Sequence, residues 1–144
     1  MNFVSTRLIA NDLKAMVAFY ERLTGVEAEW LAPVFAEIVL PGATLAIAGE
    51  QTVPLFAEGI AEGGANRTVI IEFIVADVDA EFLRLKDRTH VVHAPKLMPW
   101  GNQSAQFRDP EGTLVNLFTP VSDAAKARFH VCSQSEAVMS DAER

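Results

Sequence analysis

The sequence is poor in cysteine, in histidine and in long hydrophobic runs. It contains one Cys and three His among 144 residues. Cys132 therefore has no partner for an internal disulfide, and no Cys or His cluster marks a metal site. No apolar run reaches the roughly 20 residues that a membrane span requires. The first ten residues lack the basic and apolar regions of an export signal, so we expect a cytoplasmic protein without a membrane partner.

Basic residues are also scarce. Twelve Lys and Arg stand against nineteen Asp and Glu, which gives a formal charge of −7, and the basic side chains are scattered along the chain. A nucleic-acid partner is therefore not expected. Half of the residues are hydrophobic and 22% are charged, a composition that suits one domain with a sizeable core at this length.

The first half of the chain reads as a strand, a helix and three strands. We predict a strand over residues 3–10 and a helix that begins after an Asn11 N-cap and ends at Gly25. The apolar positions of this helix follow the i, i+3, i+4, i+7 spacing: Leu13, Met16, Val17 and Tyr20. Three strands are predicted near residues 27–31, 35–40 and 44–48, the last two separated by the turn residues Pro41-Gly42.

The second half repeats this order. Residues 51–67 are rich in Gly and have no apolar period, which predicts a connection and a mobile flap. A strand over 68–76 is followed by a helix capped by Asp77, with Val78, Phe82 and Leu85 on one face. A strand over 91–94 leads to a hairpin of residues 104–108 and 113–119. Its turn is Asp109-Pro110-Glu111-Gly112, in which Asp opens the turn, Pro sets φ and Gly closes it.

The two halves predict an internal duplication. Asp12 and Asp77, 65 residues apart, occupy equivalent places, so Ser5 corresponds to Ile70 and Arg7 to Glu72. We expect one domain over residues 1–120, made of units 1–50 and 66–120 joined by the linker 51–67, with a pseudo-twofold axis between the units. Beyond it, residues 121–144 are predicted to form a short helix capped by Ser122 and a disordered tail.

Three motifs together resemble the vicinal oxygen chelate superfamily of glyoxalases, bleomycin-resistance proteins and extradiol dioxygenases. These are the passages Ile9-Ala10-Asn11-Asp12-Leu13 and Val75-Ala76-Asp77-Val78-Asp79, and the closing Phe107-Arg108-Asp109-Pro110-Glu111-Gly112. The resemblance covers about residues 3–120. It implies an α+β fold of two βαβββ units, each a curled mixed sheet with a helix outside, that form a cup. It also implies that enzymes of the family hold a divalent metal there through four side chains, two from each unit.

Carried onto this chain, those four ligand places are Ser5, Ala46, Ile70 (or Ile71 if the strand is aligned one residue later) and Asn116. The metalloenzymes have His or Gln, Glu, His and Glu at these places. Ala and Ile have no donor atom, and Ser or Asn makes a poor site for a transition metal. We therefore expect no metal site and no cofactor.

Strand alternation indicates which side chains point into the cup. Ser5, Arg7 and Ile9 alternate with residues that face the first helix, and Ile70, Glu72 and Ile74 do so in the second unit. Arg7 and Glu72 could form a structural ion pair that closes the floor of the cup, which we favour, or either could meet a polar ligand group. Glu72 is the weak candidate for a catalytic residue.

Other side chains are candidates for ligand contact. Trp100, at the mouth of the cup, could stack on a flat ligand or simply pack against the protein. Gln106, Asn116 and Phe118 should share the cup face of the hairpin, and His93 borders it. The full candidate set is Ser5, Arg7, Phe35, Glu72, His93, Trp100, Gln106, Asn116 and Phe118.

Three functions compete at this point. The first is a metal-free homodimer of the bleomycin-resistance type that binds a small aromatic or extended organic compound. The second is a lyase, isomerase or dioxygenase-like enzyme with an atypical or absent metal site. The third is a regulatory or interaction module whose cup is filled by side chains.

Overall fold

The computed structural model describes residues 1–129. The chain divides into two compact units, Met1–Ile70 with Arg108–Leu114, and Ile71–Phe107 with the described residues from Val115 onward. The elements in chain order are β1 (Ser5–Ala10), α1 (Leu13–Thr24), β2 (Glu29–Ala32), β3 (Phe35–Leu40), β4 (Ala43–Gly49), a 3-10 helix (Glu50–Leu55), β5 (Ile70–Ile74), α2 (Val78–Leu85), β6 (His90–Leu97), β7 (Asn102–Arg108) and β8 (Leu114–Pro120). Among these residues no helix is long and apolar enough to cross a bilayer.

Each unit carries one four-stranded sheet with the same strand order. The first sheet runs β1-β4-β3-β2 and the second β5-β8-β7-β6. In the first sheet β1 pairs with β4 in parallel, and the other two pairings are antiparallel. A parallel pair requires a long crossover, which α1, β2 and β3 supply between β1 and β4. The predicted α+β fold of two βαβββ units is confirmed.

Helix α1 shows how the local sequence sets an element. Its N-cap is Asp12, whose carboxylate accepts the Ala15 N–H (3.1 Å); the prediction of Asn11 was wrong by one residue, because both are good caps and only the backbone geometry decides between them. The helix ends at Gly25, which has the left-handed φ of 71° that glycine tolerates. Its buried face is wider than the predicted stripe and includes Phe19 and Leu23.

The core of the first unit lies on one face of its sheet. Side chains from α1 and from alternate strand positions are buried there: Met16, Val17 and Tyr20 from α1, and Leu8, Ile38, Leu45 and Ile47 from the strands. We call this the helix face of the sheet, and the opposite one the far face. The far face carries the residues discussed below as candidate ligand contacts.

The segment predicted to be a connection and flap begins with ordered structure. Its first residues belong to the 3-10 helix Glu50–Leu55, in which Thr52 and Val53 are buried. Thr52 donates its hydroxyl to the carbonyl of Gly49 (2.8 Å), which fixes the start of this turn. A short 3-10 turn has no apolar period, so the pattern gave no sign of it.

In the second unit, α2 begins after Asp77 as predicted, with the Asp77 carboxylate accepting the N–H of Asp79 and of Ala80 (3.1 Å each). The Phe82 ring of α2 lies 6.0 Å from that of Phe107 on β7, which fixes the helix face of this sheet. Strand β5 is shorter than predicted at both ends, whereas β6 is longer, extending over His90–Leu97.

Two turns of the same kind close the hairpins before and after β7. In one, Gly101 N–H donates to the Met98 carbonyl (2.9 Å) and Met98 N–H to the Asn102 carbonyl (2.8 Å). The other repeats this arrangement with the predicted Asp109-Pro110-Glu111-Gly112 turn. Both have Pro second and Gly fourth, with φ of 92° at Gly101 and 89° at Gly112, as expected for a three-residue hairpin loop that ends in a left-handed residue.

After β8, residues 123–129 are helical. The Ser122 hydroxyl accepts the Ala125 N–H (3.1 Å), and Gly101 accepts the N–H of Val121 and of Ser122 through its carbonyl. The tail predicted to be disordered lies outside the described residues.

Candidate functional site

Small residues on β4 shape the far face of the first sheet. The register places Ala46 beside Arg7 on one side and Glu37 on the other, and Ala48 between Ile9 and Phe35. Paired residues on neighbouring strands share a face. Two alanines therefore separate the longer side chains of β1 from those of β3.

Arg7 uses that space. Its guanidinium carbon lies 4.7 Å from the centre of the Phe35 ring and 5.7 Å from that of Phe56, in the segment after the 3-10 helix. Both distances are within the range of a cation–π contact. The structure thus brings together two predicted site residues, Arg7 and Phe35, and adds Phe56, which the sequence analysis did not single out.

A cavity of about 310 Å³ in the first unit adjoins Arg7. Its walls come from β1, from Met16 of α1, from residues 61–69 and from the turn after β7. The volume is at the lower end of the range for small-molecule pockets. Its lining mixes apolar groups, such as Ile9 and Val69, with polar groups, such as Asn66 and Glu111.

The far face of the second sheet carries a short chain of hydrogen bonds. Ser104 on β7 donates its hydroxyl to Oδ1 of Asn116 on β8. The Nδ2 of Asn116 in turn donates to Oε2 of Glu72 on β5 (2.8 Å). Asn116 is only 7% exposed and Ser104 is buried, whereas Glu72 is exposed. The two buried residues therefore hold one oxygen of an accessible carboxylate.

Phe118 lies on the same face but is covered by the chain itself. Its ring centre is 5.1 Å from that of Phe129, in the helical residues 123–129. Phe118 is therefore buried, and a ligand would reach it only beside or in place of Phe129. Nearby in sequence, Asn102 is buried with an Oδ1 that has no hydrogen-bond partner in the described residues, which leaves an acceptor for a donor group.

The other candidate ligand contacts lie on a turn and on three different strands. Trp100 lies at the tip of the Met98–Asn102 turn and is 59% exposed, so it does not belong to the core. Gln106 is half-buried on β7, and Ser5 is exposed at the start of β1. His93 lies on β6 with Nδ1 at 2.9 Å from the Ala94 carbonyl oxygen. Contact of these residues with a ligand, and pairing of Arg7 with Glu72, stay predictions.

The Asp109 turn has a structural role. Asp109 accepts the N–H groups of Glu111 (2.9 Å) and Thr113 (3.0 Å) at Oδ1, and the buried Tyr20 hydroxyl at Oδ2 (2.8 Å). Burial, together with the nearby Asp109 carboxylate, raises the pKa of Tyr20 far above its usual value. Glu111 accepts the backbone N–H groups of Asn11 (2.8 Å) and Asp12 (3.0 Å) just before α1.

The duplicated strand order and the Asp-Pro-Glu-Gly turn bonded to the start of α1 are general features of a fold family. A family model described as the Glyoxalase/Bleomycin resistance protein/Dioxygenase superfamily matches residues 2–117. The chain belongs to this superfamily.

Relatives within the superfamily differ in what their names describe. The chain is 26% identical over 133 residues to the uncharacterized protein YraH of Bacillus subtilis (strain 168), covering 82% of this chain and 98% of that protein. A crystal structure of a glyoxalase/bleomycin resistance protein/dioxygenase from Nocardioides has a TM-score of 0.71 at 24% identity, covering 85% of each chain. That of a lactoylglutathione lyase from Agrobacterium tumefaciens has a TM-score of 0.65 at 26% identity, covering 81% of this chain and 92% of the other.

The residues at the four places that the resemblance assigns to the superfamily's metal ligands do not fit a divalent ion. Ala46 is 2% exposed and, like Ile70, offers only hydrocarbon. Asn116 has its amide oxygen engaged by Ser104 and its amide nitrogen by Glu72. In the described part of the chain, no group of three or more His, Cys, Asp or Glu side chains could hold a metal elsewhere.

Two of the residues that form these sites were missed for different reasons. Ser104 stands two residues from Gln106 on a predicted strand, so alternation could have placed it on the same face as Asn116. Phe56 lies in a segment without regular strand or helix period, and only the fold brings it to Arg7.

Proposed function

We propose that this chain is a small-molecule-binding protein of the bleomycin-resistance type, which takes an aromatic or extended organic compound without the superfamily's metal. The observation that carries the proposal is the chemistry at the four metal places: Ser5, Ala46, Ile70 and Asn116 supply no ionised ligand. What these faces do supply suits an organic molecule. In the first unit, the Arg7 guanidinium beside the Phe35 and Phe56 rings gives apolar area with a polar group. In the second unit, Asn116 and Glu72 supply polar groups on one sheet face.

We further propose that the protein is a cytoplasmic homodimer. Several apolar side chains of the strands are exposed in the single chain, among them Trp30, Leu31, Val39, Ile70 and Ile74. A second copy could bury such side chains, as oligomer interfaces commonly do. The single cysteine fits a reducing compartment.

A thermal-shift screen of the full chain against a broad library of aromatic and extended organic compounds tests the binding function. A compound at a hundred times its Kd should stabilise the folded state by about 2.7 kcal/mol, which raises the midpoint by several degrees for a domain of this size. The same compound should bind equally well after dialysis against a chelator. A screen with no hit would contradict the proposal and favour the interaction module.

A second candidate function is an enzyme of the lyase or isomerase type. The observation in its favour is the Glu72 carboxylate, which Asn116 orients while leaving it accessible. A carboxylate held in this way could take a proton from a bound substrate. The similarity to a lactoylglutathione lyase is compatible with this alternative. It ranks second because the Asn116 amide that contacts this carboxylate is neutral and cannot itself supply a proton to a substrate.

A further inference from the structure

Arg7 reaches across the first sheet to a position where its charge is held by aromatic rings. It lies on β1, and Phe35 lies on β3, with β4 between them. Two strand spacings amount to about 10 Å, which the Arg7 and Phe35 side chains can span together when the strand between them carries small residues. Ala46 and Ala48 meet that condition, and the guanidinium ends 4.7 Å from the Phe35 ring centre.

This guanidinium has no acidic partner in its unit. No carboxylate of the first unit forms an ion pair with Arg7, although Glu37 lies in the same row of the sheet beyond Ala46. No hydrogen bond from its N–H groups is present within that unit either. An aromatic ring attracts the cation through its face, so the five N–H donors of Arg7 have no hydrogen-bond partner among the residues of the first unit. Such a fork matches the oxygens of a carboxylate or a phosphate.

Phe56 completes the arrangement. Its ring centre lies 5.7 Å from the guanidinium carbon, and the residue is 68% exposed. An aromatic ring placed so openly beside a cation offers a stacking surface to a flat molecule whose anionic group is on Arg7. The cavity next to Arg7 gives such a molecule further apolar contact at Ile9 and Val69.

We infer that Arg7 is the anchor for an oxyanion and that the ligand of this protein is an aromatic compound bearing a carboxylate or phosphate group. The inference rests on the proposed binding function and narrows it to one ligand class. The net charge of −7 repels anions in general. A preference for an anionic ligand would therefore have to come from a local site such as Arg7.

Three probes that share one ring system test this inference: 2-naphthoate, 2-naphthyl phosphate and the neutral 2-naphthamide. Each is titrated into the full-length ¹⁵N-labelled protein, and Kd is taken from the amide shifts. A charged hydrogen-bonded pair should make at least one anion bind about ten- to a hundredfold more tightly than the amide. The shifts should centre on β1, on β3 and on the residues around Phe56.

Variants assign the preference to Arg7. Arg7→Met keeps a side chain of similar length and should bring the Kd of the anions to that of the amide, while Arg7→Lys should keep part of the preference. Arg84→Met, on α2 where Arg84 pairs with Glu81, is the matched control and should retain it in full. Dispersed amide spectra show that each variant is folded.

The possible results distinguish an error in the Arg7 anchor from an error in the binding function. A tighter naphthoate assigns a carboxylate, and a tighter naphthyl phosphate assigns a phosphate, both anchored by Arg7. If the amide binds the wild type as tightly as the anions, or if Arg7→Met keeps the preference, the anchor is wrong while the binding function stands. If none of the three binds, the assignment of an aromatic anion is overturned, and a blank thermal-shift screen would then remove the binding function too.

Discussion

Both ends of the Asn116 amide are engaged by protein groups. Ser104 donates to its oxygen, and its nitrogen donates to Glu72. For Asn116 to ligate an ion through its oxygen, the buried Ser104 hydroxyl would lose its acceptor, which has a cost of about 1–3 kcal/mol for a buried polar group. The residue therefore works as a support for Glu72. Its position on β8 could be predicted from the sequence, but its orientation depends on contacts across three strands.

A second residue-scale contact ties the Asp109 turn to α1. Tyr20 is fully buried and donates its hydroxyl to Asp109. In Tyr20→Phe the Asp109 oxygen loses that donor, so we expect the free energy of unfolding at pH 7 to fall by about 1–3 kcal/mol, as measured by urea denaturation. No loss would show that the contact does not stabilise the fold.

The stability difference between the wild type and Tyr20→Phe should also depend on pH. Burial raises the pKa of Tyr20 in the folded protein, whereas in the unfolded chain it is about 10. The contribution of Tyr20 to stability is therefore complete below pH 10 and is lost above it, by up to about 1.4 kcal/mol per pH unit. Above pH 10, the free energy of unfolding of the wild type should fall toward that of Tyr20→Phe. A difference that stays constant as the pH rises above 10 would contradict a buried, protonated Tyr20.

At the scale of elements, the two turns around β7 form a matched pair. Gly101 and Gly112 have almost the same positive φ. A Cβ on Gly112 would meet nothing, whereas one on Gly101 would overlap the Ser122 hydroxyl and approach Ala125. The turn at Gly101 thus also contacts the start of the helical residues 123–129, in which the Phe129 ring packs against Phe118.

Alanine at the two positions separates backbone strain from packing. Gly112→Ala should lower the free energy of unfolding by about 1–2 kcal/mol, the cost of a left-handed residue with a side chain. Gly101→Ala should have a larger effect, above about 2 kcal/mol, because the helix start must also move. Urea unfolding of both variants makes the comparison. An equal loss of unfolding free energy in both variants would mean that residues 123–129 do not pack against Gly101.

An element could be predicted from the sequence when one or a few neighbouring residues determine it. Asp77 and Gly25 could be predicted as helix boundaries because the cap and the left-handed position each depend on one residue. The Asp-Pro-Glu-Gly turn was predictable for the same reason. The 3-10 helix and the position of Phe56 were not, since neither follows a period. The role of Glu111 could not be read from the turn alone, because its partners lie 100 residues away at Asn11 and 99 away at Asp12.

For the whole molecule, the fold and the family narrow the function without deciding it. The superfamily contains binding proteins and enzymes on one architecture, so function has to be argued from the site. In this chain the four places that the resemblance assigns to metal ligands carry no ionised side chain, and an arginine on the edge strand β1 contacts two phenylalanines. The duplication could be predicted from the repeated order of elements, whereas the placement of Arg7 over Phe35 depends on two alanines that are unremarkable in the sequence.

Metal content measured together with ligand binding is the most direct test of the central claim, which is binding without metal. The full-length protein is purified without chelator, analysed for transition metals by mass spectrometry, and titrated with a compound from the thermal-shift screen before and after chelator treatment. We expect far less than one metal per chain and an unchanged Kd. A near-stoichiometric metal whose removal abolishes binding would contradict it and favour an enzyme.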